Sequence, residues 1–364
     1  MSKSEFASVH YSKYLQLDKI LGGQELRSVQ VGKPAHDEML FIIVHQAYEL
    51  WFKQLIHELD SVTDMFRDNI VDEKEAFVAV SRLQRCIEIL KLLVDQVRII
   101  ETLTPLDFLD FRNYLIPASG FQSFQFRKFE VMLGLKMAKR TTYGQKDYRG
   151  PFTKEQYDEL TVLEGQESML QHVENWLERI PFLAFSEFDF LSEYKKSIDK
   201  MYALEEEAIK NTNIDEKHKN FRLDMLKSNR SYFDHVLNED KHVDAIKEGK
   251  VKLSYKATMG ALLINLYREE PILQLPYQLL SSLVEIDELI TSWRQRHVQM
   301  VMKTIGMKMG TGGSSGHSYL KKTADTHGIF GDLANIATLM IPRSELPVLP
   351  PDLKKQLGFY FTTK

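Results

Sequence analysis

Through residues 39–60, MLFIIVHQAYELWFKQLIHELD, apolar side chains recur at three- and four-residue intervals and predict a helix of about six turns. Phe41, His45, Tyr48, Glu49 and Phe52 share one face of it, because residues three, four and seven apart stack along a helix. His57 points about a third of a turn away. Asp37 stands where an N-cap belongs. Upstream, HYSKYLQLDKI at 10–20 places Tyr11, Tyr14, Leu15 and Leu17 on a short amphipathic helix. So short a piece is expected to dock on another surface, a second subunit being one choice.

Downstream, Asp72 opens a second long helix with apolar positions at Phe77, Val80, Leu83, Ile87, Leu90, Leu93, Val94 and Val97. It ends before Thr104-Pro105, since the residue preceding proline avoids helical geometry. In LDFLDFRNYLIPASGFQSFQFRKFE, phenylalanines crowd around Arg112 and Arg127, and PASG breaks the element in two. Residues 140–250 turn charged and polar, with short amphipathic patterns at 163–176 and 188–204. An apolar helix resumes at Leu253 and stops at Pro271. A longer one starts after Pro276 and runs through Leu279, Leu283, Ile286, Ile290, Trp293, His297 and Val301. GTGGSSG follows at 310–316, then a last helix around 329–339. Strand-like alternation is scarce and no internal repeat is evident. The expectation is an all-α, bundle-like single domain over 1–364, with an arm helix at 10–20 and a small charged helical insertion at about 140–250.

Composition narrows the function classes. A 43% hydrophobic and 27% charged chain is an ordinary globular one, and a net charge of -4 offers no general attraction to nucleic acid or anionic lipid. One cysteine, Cys86, excludes an internal disulfide framework and a cysteine-cage metal site. Its place among Val80, Leu83, Ile87 and Leu90 suits a buried thiol. No run has signal-peptide or membrane-spanning character, which makes the cytoplasm the default location.

Candidate chemistry rests on few residues. GTGGSSG lacks the Lys-Ser/Thr ending of a phosphate loop and the third glycine of a dinucleotide fingerprint. It reads either as a lid bearing the hydroxyls of Thr311, Ser314 and Ser315 or as a plain connection. Glu239-x-x-His242 has di-iron spacing, yet Asn238, Asp240 and Lys241 around it predict a solvated turn. His45, within an aromatic strip, is either a ring-orienting group or a satisfied core histidine. His297, among Ile290, Trp293 and Val301, is either an axial haem ligand or a core histidine.

Four segments in order, HDEMLFIIVHQAYELWFKQLIHELDS, LTPLDFLDFRNYLIPASGFQSFQFR, LSYKATMGALLINLYREEP and GTGGSSG, closely resemble the haem-dependent tryptophan 2,3-dioxygenases. With the N-terminal tyrosines the resemblance spans Tyr11 to Pro342. It implies an all-helical, cytoplasmic homotetramer with one haem b per subunit. Such an enzyme uses O2 to cleave the indole C2–C3 bond of L-tryptophan to N-formylkynurenine, the first step of degradation through kynurenine. By position, His297 resembles the axial iron ligand, with Trp293 beside it and Ser119 and Gly120 at the haem edge. His45 resembles the distal residue that accepts the indole N–H, Arg112 the carboxylate clamp, Thr311 the hydroxyl at the amino-acid end, and Phe41 and Phe108 the pocket walls. Tyr11 and Tyr14 resemble tyrosines that reach a neighbouring subunit's site. Gln295, and His317 after GTGGSSG, depart from the family pattern. The alternatives are a haem or tryptophan sensor without turnover and an indole dioxygenase of broader range.

Overall fold

The computed structural model describes residues 8–67, 73–140, 147–310 and 317–358. Three short helices come first: α1 (Tyr11–Tyr14), α2 (Leu17–Leu21) and α3 (Arg27–Gln30). The long α4 (Glu38–Phe66) and α5 (Glu73–Ile100) follow, then α6 (Pro105–Arg112) and α7 (Phe124–Leu133). After α8 (Lys154–Gly165) and α9 (Met169–Leu177), a two-stranded antiparallel hairpin, β1 (Ala184–Phe185) and β2 (Phe188–Asp189), pairs Ala184 with Asp189. Then come α10 (Phe190–Asn211), α11 (Glu216–Val236), α12 (Glu239–Lys247), α13 (Tyr255–Leu266) and α14 (Pro271–Ile305). The chain closes with α15 (His317–Thr326), α16 (Gly331–Asn335) and α17 (Pro351–Leu357). The fold is all-α.

α5 packs along both α4 and α14. Its inward stripe, Ala79, Val80, Leu83, Cys86, Ile87, Leu90, Leu93 and Val97, is buried at the spacing the sequence predicts, whereas Phe77 is exposed. α13 is buried on every side from Ala257 to Ile264 and is capped by the Ser254 hydroxyl, which accepts the Ala257 N–H at 3.1 Å. Gly260 lets it lie against α9, since a Cβ there would stand 2.7 Å from the Leu177 carbonyl oxygen. Within 140–250, α8 packs on α7, and α9 on α4 and α13. The charged look of this stretch comes from α10, α11 and α12, although α10 turns Phe190, Tyr194, Ile198, Tyr202 and Ile209 inward.

Several expected boundaries move for local reasons. The arm is two helices, because Gln16 adopts left-handed geometry (φ 52) between α1 and α2. Asp37 makes no side-chain cap at α4. The neighbouring Glu38, fully buried, instead accepts the backbone N–H groups of Arg27 and Ser28, each at 2.9 Å. Asp72 lies outside the described residues. α14 begins at Pro271 and continues through Pro276, because proline at the first position forfeits no bond and a second one near the start forfeits one. The 163–176 pattern is split by Ser168, whose side chain forms a capping box with Gln171 at the head of α9. The expected last helix is α16 plus a 3-10 turn at Ile336–Leu339, and α15 precedes it. His242 is not solvated: it is buried and its Nε2 lies 2.9 Å from the Leu253 carbonyl, while Glu239 is exposed. Among the described residues no helix is long and apolar enough to cross a membrane, and no group of three His, Cys, Asp or Glu could hold a metal ion.

Candidate functional site

α4 and α14 approach each other through aromatic side chains. Trp293 of α14 meets Tyr48 and Phe52 of α4, with ring centroids 6.0 and 6.2 Å away, and Phe126 of α7 at 4.9 Å. One helical turn beyond this contact stand His45 on α4 and His297 on α14. The His297 imidazole lies parallel to the Trp293 indole, at 4° and 5.4 Å. The Tyr48 hydroxyl donates to the Leu93 carbonyl at 2.8 Å, and Trp293 Nε1 is buried without a hydrogen-bond partner.

On α4, His45 Nδ1 lies 2.7 Å from the Phe41 carbonyl oxygen, one turn earlier. A carbonyl only accepts, so Nδ1 carries the proton and, in the neutral ring, Nε2 is an acceptor. Burial lowers the pKa of His45, against the opposing pull of the Phe41 carbonyl and Glu49. His297 is lowered to about 4 by burial and by the proximity of His45. Both rings are neutral near pH 7 and within electrostatic range of each other. Both also keep accessible surface, His45 more than His297.

α6 packs beside this region, against α14 and the Phe41 end of α4. A capping box between Thr104 and Asp107 fixes its start, and Phe108, Phe111 and Arg112 follow at helical spacing. Phe41 lies 5.6 Å from both Phe108 and Phe111, which meet edge to face at 5.4 Å. Arg112 is half-buried; its Nη2 donates to the Met309 carbonyl and its Nε is buried without a partner. Ser119 caps the 3-10 turn Gly120–Gln122 by accepting the Phe121 N–H at 3.4 Å. The neighbouring Ser123 and Gln125 are tied to Glu49 of α4 at 2.6 and 2.8 Å.

Phe41 thus adjoins His45 and Phe108, Trp293 stacks on His297, and the two histidines are within electrostatic range of each other, so these rings form one aromatic cluster of α4, α6 and α14, with Arg112 on α6. Tyr11 and Tyr14 are not part of it within one chain: they are 70% and 75% exposed on an arm whose first two helices bury nothing. Thr311, with Ser314 and Ser315, lies outside the described residues. Gln295 faces outward into a shallow cleft with Thr291 and Ser292, away from His297, and His317 is the first residue of α15.

Beside these rings lies a cluster that local pattern does not mark. Glu130 of α7 is fully buried and accepts from Arg127 at 2.8 Å, Arg140 at 2.7 Å and Arg294 at 2.6 Å. Burial opposes ionisation, but the three guanidiniums hold the Glu130 carboxyl well below the usual range. Arg294 also donates to the His327 carbonyl at 3.1 Å. Only the Arg127/Glu130 spacing, three apart on one helix, hinted at any of this.

Fold and site together define an all-helical protein in which two histidines, both of lowered pKa, meet among aromatic side chains. The tryptophan 2,3-dioxygenase family model matches residues 1–340. The chain is 44% identical to a tryptophan 2,3-dioxygenase of Bdellovibrio bacteriovorus over 98% of its length and 100% of the relative's. It is 45% identical to one of Alteromonas mediterranea (98% and 99% covered) and 46% identical to one of Dictyostelium discoideum (98% and 90% covered). The chain belongs to the tryptophan 2,3-dioxygenase family.

Proposed function

We propose that the chain cleaves the indole C2–C3 bond of L-tryptophan with O2 to give N-formylkynurenine, using haem b held at the His297 recess. Family membership supports the reaction. The observation that carries the site is the pair of neutral imidazoles in one aromatic cluster, His297 and His45. Haem fits there on three counts. His297 is a neutral ring with no hydrogen bond among the described residues. Trp293 stacks on it and keeps an unpaired N–H. The arginines around Glu130 outnumber its one carboxylate, and with the Arg127 guanidinium 5.7 Å from the Phe126 ring their surplus positive charge favours an anionic group beside Trp293.

When bound, the haem supplies the redox metal through which triplet O2 reacts with a closed-shell indole. The protein's residues do the rest. His297 would hold the haem iron, oriented by Trp293, and Ser119 and Gly120 would line the haem site. His45 accepts the indole N–H at Nε2, while Phe41 and Phe108 hold the flat ring. Arg112 receives the carboxylate on its planar fork, and Thr311 serves the amino-acid end. Because both oxygen atoms enter the product, no strong distal acid is needed, and positioning is the main demand. The enzyme acts as a cytoplasmic homotetramer with one haem per subunit, and Tyr11 and Tyr14, exposed in the single chain, complete a neighbouring subunit's site.

The test is turnover. Protein from haem-replete cells is reduced, mixed with L-tryptophan and air, and followed at the near-ultraviolet band of N-formylkynurenine. A colourless protein, or a haem protein that leaves tryptophan intact, refutes the proposal. His297→Ala is expected to lose stable haem and His45→Ala to retain it; equal loss would show that the two faces are interchanged.

A further inference from the structure

We infer that Glu130 is a positioning residue for the His297 face of the recess, an inference that rests on the haem reading above. Three guanidiniums surround its one carboxylate, and the side chains of Glu130, Arg140 and Arg294 keep only 1%, 2% and 5% of their surface. Burying like charges this closely is costly unless a counter-charge holds them, so the carboxylate is what permits the three arginines to converge. The set has a surplus of positive charge, and Arg140 Nε and Nη2 remain buried without partners.

The geometry leads from Glu130 to His297 by two routes. Arg294 precedes His297 by three residues on α14, so the ion pair fixes the roll of that helix one turn from the imidazole. On α7, Glu130 stands four residues after Phe126, whose ring packs on Trp293, and Trp293 stacks on His297. Glu130 thus locks α7 to α14 where their aromatic side chains meet, and through Arg294 it also reaches the His327 carbonyl after α15. It touches neither substrate nor cofactor in this reading. Its effect is on where Trp293 and His297 sit and on how much positive charge borders the haem.

The experiment compares wild type, Glu130→Gln, Glu130→Asp and Arg294→Lys as purified holoproteins. Three readouts are taken: midpoint reduction potential, rate of haem transfer to excess apomyoglobin, and thermal midpoint of the haem-free chain. Glu130→Gln removes the negative charge and keeps the shape. It is expected to shift the midpoint potential upward, because the surplus positive charge then favours the ferrous state. Haem transfer should quicken by roughly tenfold or more, the factor that loss of a charge-assisted hydrogen bond represents. Glu130→Asp, which keeps the charge, should restore most of the potential, and Arg294→Lys should quicken haem loss with a smaller change in potential. Unchanged potential and transfer rate in a folded Glu130→Gln protein overturn the inference, as does a lowered thermal midpoint with both haem readouts intact. Should Glu130→Gln not fold, Glu130→Asp and Arg294→Lys decide by the same two readouts. A wild type that takes up no haem refutes the proposed function instead, and is read first.

Discussion

Replacing His45 by phenylalanine keeps an aromatic ring in the recess and removes its one acceptor nitrogen on α4. Because Nδ1 is engaged by the Phe41 carbonyl at 2.7 Å, only Nε2 can serve the substrate, and the loss is that of a single hydrogen bond. An indole N–H stranded in an apolar slot costs roughly 1–3 kcal/mol, or about 5- to 150-fold in kcat/KM. L-Tryptophan and 1-methyl-L-tryptophan, which has no N–H to place, should be compared in both proteins by product absorbance. The variant is expected to lose the discrimination: turnover of L-tryptophan falls while that of the methylated substrate hardly changes. An acid limb provides a second reading. Burial lowers the His45 pKa, so wild-type kcat/KM should fall as pH drops, with an inflection below the ordinary 6.5 where Nε2 gains a proton. That inflection should be absent from His45→Phe. An unaltered substrate ratio in the variant would falsify the role given to Nε2.

Arg112→Lys keeps the charge and loses the fork; KM should rise by about 13- to 150-fold, matching roughly 1.5–3 kcal/mol, with kcat near wild type, and an unchanged KM counts against the clamp. Gly260→Ala would gain about 1 kcal/mol from helix propensity alone, but its Cβ would meet the Leu177 carbonyl oxygen at 2.7 Å. The expected net result is a loss of about 1–3 kcal/mol in thermal denaturation, and a stabilised variant would show that α9 and α13 can move apart. In the haem-free chain, burial holds His327 and His297 at about 4, below their unfolded value. The unfolded chain therefore binds protons first; stability is fully present above about pH 6.5 and declines as pH falls toward 4. A urea midpoint that is flat across that window contradicts the assignment.

The long helices were legible because burial repeats with the helical period. Leu83, Ile87, Leu90 and Leu93 on α5 and Ile286 and Ile290 on α14 occupy the inward stripes that their spacing predicts. The four-residue step from Trp293 to His297 was equally readable, though what it serves came from resemblance to a family. Other features depend on partners far along the chain. His242 is buried because its nitrogen finds the Leu253 carbonyl. Glu130 and Arg294 are separated by 164 positions and meet only after folding. Gln16 turns left-handed without being glycine, and Pro276 continues a helix that proline usually interrupts; in both, context overrides the local preference.

The buried Glu38 carboxylate marks where the chain can be shortened. Its two donors are the backbone N–H groups of Arg27 and Ser28, and the Ser28 hydroxyl in turn accepts the Ala35 N–H at 3.0 Å. Just upstream, Gln24 donates to Gln46 of α4 at 2.7 Å and Gln46 donates to the Gly23 carbonyl at 2.9 Å, so everything before Gly23 lies outside these ties, whereas removing Arg27 and Ser28 would strand a carboxyl group in the interior at the head of α4. A protein trimmed to begin just ahead of Gly23 should thus keep the helix that bears His45 while discarding Tyr11 and Tyr14. The proposed reach of those tyrosines to a neighbouring subunit then becomes testable apart from the integrity of the chain that carries them.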